Sequence, residues 1–86
     1  MMANGVEQRV RDGVALYDRG VACSTGSGGT LLDLVEAHKW FNLAAISGFV
    51  PAQVARAEIA MDMSAREIAE AQRKARAWLT GSARAH

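Results

Sequence analysis

Apolar positions recur along this chain at helical spacing and divide it into four segments. Val6, Val10, Val14, Tyr17 and Val21 follow one another at steps of four, four, three and four, which predicts a first helix from about Val6 to Cys23. Leu16, Gly20 and Cys23 form a second, narrower apolar edge, so this helix is expected to be covered on two sides. Arg9, Arg11, Asp12, Asp18 and Arg19 occupy the remainder. The helix should stop in the segment Ser24 to Thr30, where three glycines in seven residues make continuation costly.

Asp33, with Glu36 three residues on, opens a second helix as a capping pair. Leu34, Ala37, Trp40, Phe41, Leu43, Ala44 and Ala45 leave only Glu36, Lys39 and Asn42 as a thin polar stripe, so this helix should be mostly buried. Gly48 is placed to end it. Pro51 suits the first position of a third helix running to about Met61, with Ala52, Ala55 and Ile59 on its inner edge. Ser64 and Glu67 form the strongest local signal, a capping box that opens a fourth helix. There Ile68, Ala71, Ala75, Trp78 and Leu79 are expected to face inward, Glu70 to pair with Lys74, and Gly81 to close the helix.

The chain also resembles itself. Ala37-His38-Lys39-Trp40 recurs thirty-eight residues later as Ala75-Arg76-Ala77-Trp78, and Ala15 with Arg19-Gly20 recurs as Ala52 with Arg56-Ala57. A helix pair repeating at this period signals an α-solenoid, because one hairpin cannot bury both of its faces alone. The small residues Gly20, Ala37, Ala44 and Ala45 would let helices approach closely, and the two tryptophans would fill the wedge between pairs.

The run Ala15…Gly20…Gly26-x-Gly28…Ala37-x-x-Trp40-Phe41-x-x-Ala44-Ala45-x-x-Gly48 resembles a Sel1-like repeat, a relative of the tetratricopeptide repeats. Residues 15–48 carry the resemblance well, and Ala52 through Trp78 read as a degenerate second copy. Arg19 and Cys23 stand where the family usually has a Leu and a Tyr. The segment from Gly28 to Ala37 is slightly long, and the second copy lacks the glycine loop. The resemblance implies protein–protein interaction, often as an adaptor or scaffold, and brings no catalytic residue with it.

The expected fold is therefore all-α, with four helices as two stacked helical hairpins in a tetratricopeptide-like right-handed superhelix. Residues 1–86 form a single domain, 6–48 the first pair, 51–80 a degenerate or capping pair, and 81–86 a frayed tail. Composition agrees. The 86 residues are half hydrophobic, but the apolar share is dominated by alanine and includes only five aromatics. That is one core's worth of chain, closely packed through small side chains. Ten basic against nine acidic residues give a net charge of +1, which argues against a dedicated nucleic-acid binder. The single Cys23 fits a reducing compartment, and no apolar run approaches the ~20 residues of a membrane span. The expected location is the cytoplasm, with no membrane partner.

Candidate chemistry is sparse. The glycine-rich stretch 24–30 lacks the Lys-Ser/Thr pair of a phosphate-binding loop, and Asp33 and Glu36 occupy the helix start behind it, so it reads as a connector. His38 has Asn42 as its next neighbour along the face and no ligand at metal spacing; His86 lies at the chain end, and Cys23 is isolated. No catalytic residue, metal site or cofactor is expected. Arg66, Arg73, Lys74, Arg76 and Arg84 make the last helix basic, but Glu67 and Glu70 interleave, which favours a solvated face over a nucleic-acid surface.

One stripe remains. By analogy with tetratricopeptide folds, Val10, Val14, Tyr17 and Val21 of the first helix, with Val54 and Glu58 of the third, would line a partner-binding face; the alternative is that they are simply core. The expected function is a non-catalytic protein–protein interaction module, binding another protein or peptide, with a weak homodimer or a partner helix docked on the same stripe. The alternatives are an accessory subunit that completes an enzyme site on another chain and weak nucleic-acid binding by the last helix.

Overall fold

Four helices make up the fold: α1 (Asn4–Thr25), α2 (Leu34–Ile46), α3 (Pro51–Ala60) and α4 (Ala65–Arg84). The computed structural model describes residues 4–84. The architecture is all-α, and α2 is its centre: α1, α3 and α4 all pack on it. That central position explains why α2 has so little polar surface. Ala37, Phe41, Leu43 and Ala44 are buried, and His38 is buried with them.

The first pair, α1 and α2, is antiparallel and closely crossed. Cys23, Ala37 and Phe41 form the buried cluster, with Tyr17, Val21, Trp40, Ala55 and Ile59 packed around it. The closeness depends on missing side chains: a Cβ on Gly20 would lie 2.5 Å from the Phe41 ring, and one on Gly13 would lie 2.8 Å from the Phe49 Cβ. Gly20 therefore brings α1 down onto the ring of a buried phenylalanine, as the small-residue pattern predicts. Tyr17 sits between two rings, 5.4 Å from Phe41 and 5.2 Å from Phe49 by centroid.

Local signals set the ends. Asp33 accepts the Glu36 N–H at 3.1 Å and caps α2. The expected return bond is not made, because the Glu36 carboxylate turns instead to Lys39 at 2.8 Å and to Lys74 of α4 at 3.2 Å. At the other end the Gly48 N–H donates to the Ala45 carbonyl and the Phe49 N–H to the Ala44 carbonyl. This two-bond closure needs a left-handed residue, and Gly48 supplies it at φ 98°. It also throws Phe49 back onto α1. Pro51 opens α3, where Ala52 is buried and Arg56 donates to the Asn42 side-chain oxygen of α2.

The α4 capping box is complete, with the Glu67 N–H donating to Ser64 Oγ and the Ser64 N–H to Glu67 Oε1. Such a cap is worth about 1 kcal/mol. Helix α4 runs alongside α2 in the same direction. Trp40 meets Trp78 edge-on at 6.0 Å, and Glu36 meets Lys74, both pairs thirty-eight residues apart. Within the second pair the packing runs through α2, on which α3 and α4 both lie far more extensively than on each other.

Three further expectations change. Lys74 is drawn to Glu36, so Glu70 pairs with Arg73 at 2.7 Å rather than with Lys74. Gly81 does not end α4, which continues to Arg84; the tail expected at 81–86 is helical over 81–84, and 85–86 lie outside the described residues. An exposed glycine in a last helical turn is only a mild penalty when the neighbouring residues keep helical conformation. Finally, Ala71 and Ala75 face inward as expected, but Trp78 and Leu79 remain about two-fifths exposed.

Candidate functional site

The six residues of the candidate partner face divide by position along the helix. Tyr17 and Val21 are partly buried against the central cluster. Val10 and Val14 stay exposed, at 44% and 38%, as do Val54 at 56% and Glu58. The cause is geometric. Val21 and Tyr17 lie over the body of α2, whereas Val10 lies beside Ile46, Ser47 and Gly48, where α2 has ended. Ile46 and Val50 are exposed at 60% and 62%. Val10, Val14, Ile46, Val50 and Val54 are thus exposed apolar side chains, while Tyr17 packs against two aromatic rings. Among the described residues Glu58 makes no ion pair, so α3 carries one uncompensated acid on this side.

Sequence reasoning missed a second feature on the opposite flank of α1. Asp12, Ala15, Leu16 and Arg19 of α1, with Ser47 and Trp78, line an open groove of about 380 Å³ between α1 and α4. The Arg19 guanidinium lies 4.8 Å over the Trp40 ring, and the Lys39 ammonium 3.9 Å over the same ring. Lys39 is neutralised by Glu36, but Arg19 makes no ion pair among the described residues. Asp12 accepts a hydrogen bond from Gln8 at 2.9 Å and makes no ion pair either. The available signal was the spacing of Asp12, Leu16 and Arg19 on one helical edge.

The remaining polar groups belong to the packing. His38 is 3% exposed, its Nδ1 finds no hydrogen-bond partner among the described residues, and burial and then the nearby Arg56 charge hold it below its ordinary pKa of 6.5. It is a neutral histidine in the α2–α3 seam. Burial pushes the Cys23 thiol up, and Glu36 and Asp33 push it further, so it is a poor nucleophile. Burial alone would raise Glu36, but the hydrogen bonds from Lys39 and Lys74 outweigh it and hold the carboxyl below its ordinary range. Glu36 is therefore a charged tie between α2 and α4. Among the described residues no group of His, Cys, Asp and Glu is placed to hold a metal ion, and no helix is long and apolar enough to cross a membrane.

Compared with models of known protein families, with curated proteins and with solved structures, the chain matches none.

Proposed function

We propose that this protein is a non-catalytic interaction module that binds another protein or peptide on the α1–α3 face. The observation that carries this reading is the division of the stripe. Tyr17 and Val21 lock the face to the core, while Val10, Val14 and Val54 project from it and remain in contact with solvent. A rigid apolar face with a single uncompensated acid, Glu58, suits an amphipathic helix that lays aliphatic side chains on the valines and sets a basic group beside the acid. The resemblance to Sel1-like repeats supports an adaptor or scaffold role, and the cytoplasm is the compartment in which we place it.

The test is site-specific photo-crosslinking in cells. A photo-reactive residue in place of Val14 or Val54 should trap a discrete partner, and Val54→Asp introduced alongside the position-14 probe should abolish the adduct while helicity is kept. A probe in place of the exposed Gln72 on α4 serves as the control. Equal trapping from all three positions, or no adduct from positions 14 and 54, would overturn the assignment.

A further inference from the structure

The groove on the other flank of α1 carries a pattern with its own symmetry. Along one edge of α1 stand Asp12, Ala15, Leu16 and Arg19, at steps of three, one and three. Read in the opposite direction the steps are the same, but the charges are exchanged. A second α1 laid antiparallel along this edge, about a two-fold axis between Ala15 and Leu16, therefore sets Asp12 against the partner's Arg19 and Arg19 against the partner's Asp12. It also sets each Leu16 against the partner's Ala15, large against small. The two charges are about 10 Å apart along the helix, two turns, so both ion pairs form without bending either helix. This is the self-complementarity an isologous interface demands.

From this pattern we infer that a second copy of the same chain docks in the α1–α4 groove through the Asp12–Arg19 edge. Three further observations favour that occupant. The Arg19 guanidinium rests over the Trp40 ring, 4.8 Å from its centroid, so its position is restricted before the partner arrives. Neither Asp12 nor Arg19 has an ion-pair partner among the described residues, which leaves both charges to be met from outside. Trp78, 38% exposed, and Leu16 give the groove an apolar lining that a docked helix covers. Asp12, Ala15 and Arg19 are themselves exposed, and Leu16 is half-buried. The contact lies on the flank of α1 opposite Val10 and Val14, so it is independent of the partner face proposed above.

The experiment is a charge-exchange set read by sedimentation equilibrium on the full chain. Wild type should associate to a dimer as concentration rises to about 1 mM, since an interface of this small size is weak. Asp12→Lys and Arg19→Glu should each weaken association by about tenfold or more, because two attractive pairs become repulsive. Mixing the two variants should restore a dimer, now a heterodimer, because Lys at 12 meets Glu at 19 and Arg19 meets Asp12. The double variant should restore the homodimer. Circular dichroism on each variant checks that the helices are intact. A wild type that stays monomeric overturns the inference, as does a dimer untouched by either single change, or a mixture that fails to associate. A dimer that instead breaks with Val14→Asp would move self-association to the partner face and overturn it as well.

Discussion

Two glycines in this chain should respond to the same substitution with opposite sign. Gly20 and Gly81 are both helical, and neither has a positive φ. Replacing glycine by alanine in a helix interior is worth about 0.5–1 kcal/mol in backbone entropy. At Gly81 nothing lies within 4 Å of the new Cβ, so that gain stands, reduced by the position in the last turn. At Gly20 the Cβ would lie 2.5 Å from two carbons of the Phe41 ring. Ordinary contact requires a retreat of about 1 Å. The ring cannot swing clear, because Phe41 is only 2% exposed and Tyr17 packs against it as well. Overpacking of this kind costs about 1–3 kcal/mol, and a rigid neighbour places the cost at the upper end. The net for Gly20→Ala is a loss of about 1–2 kcal/mol. For a domain of this size that lowers Tm by roughly 4–16 °C. Gly81→Ala should raise it, by at most about 8 °C. Thermal melts followed by circular dichroism at one fixed protein concentration read both. A Gly20→Ala variant that melts at or above wild type would refute the close α1–α2 crossing.

Phe41→Ala should destabilise by about 3–5 kcal/mol, enough to leave so small a domain largely unfolded, and a denaturant midpoint close to wild type would show that Phe41 does not fill the core. His38 makes stability depend on pH in a defined window. Its folded pKa is depressed below the ordinary 6.5, so stability is fully present above 6.5 and falls as the pH drops from there to the folded value. The slope is at most about 1.4 kcal/mol per pH unit. Denaturation midpoints at about pH 7.5 and about pH 5.5 should separate in wild type and converge in His38→Met; an unchanged separation would assign the effect to other groups.

The parts of this fold that were legible in the sequence are those decided by a few consecutive residues. Asp33, Gly48, Pro51 and the Ser64–Glu67 box each mark a helix end because the bonds involved span three to six residues. The two tryptophans expected to pack between the helices do meet, Trp40 edge-on against Trp78. The fate of the valine stripe was not legible. Val10 and Tyr17 have the same periodicity, but one lies over α2 and the other beyond its end, and periodicity carries no information on where a neighbouring helix stops. Nor could local spacing show that Lys74 would choose Glu36 over Glu70: that choice depends on α4 lying in register on α2. Gly81 misled for a related reason, since a glycine terminates a helix only when the chain must turn there.

The groove was hidden by the same limit, and its position has a consequence for the proposed function. Helix α1 presents Gly13 and Gly20 to α2, Val10 and Val14 to one flank and the Asp12–Arg19 edge to the other. A domain so rich in alanine gains little from each buried side chain. Dimerisation through the charged edge would cover Leu16 and Trp78 without consuming the valines. It would also give each assembly two copies of the partner face. If both faces can engage one target, the second contact becomes intramolecular, and avidity exceeds either single affinity with no new contact. Partner binding to Val10, Val14 and Val54 should then weaken in Asp12→Lys, although that substitution lies on the far side of α1. A bivalent helix peptide measured against wild type and Asp12→Lys should show the loss, whereas a single helix should bind both alike. Equal binding of the bivalent peptide to both proteins would separate the two faces and leave the dimer with no part in recognition.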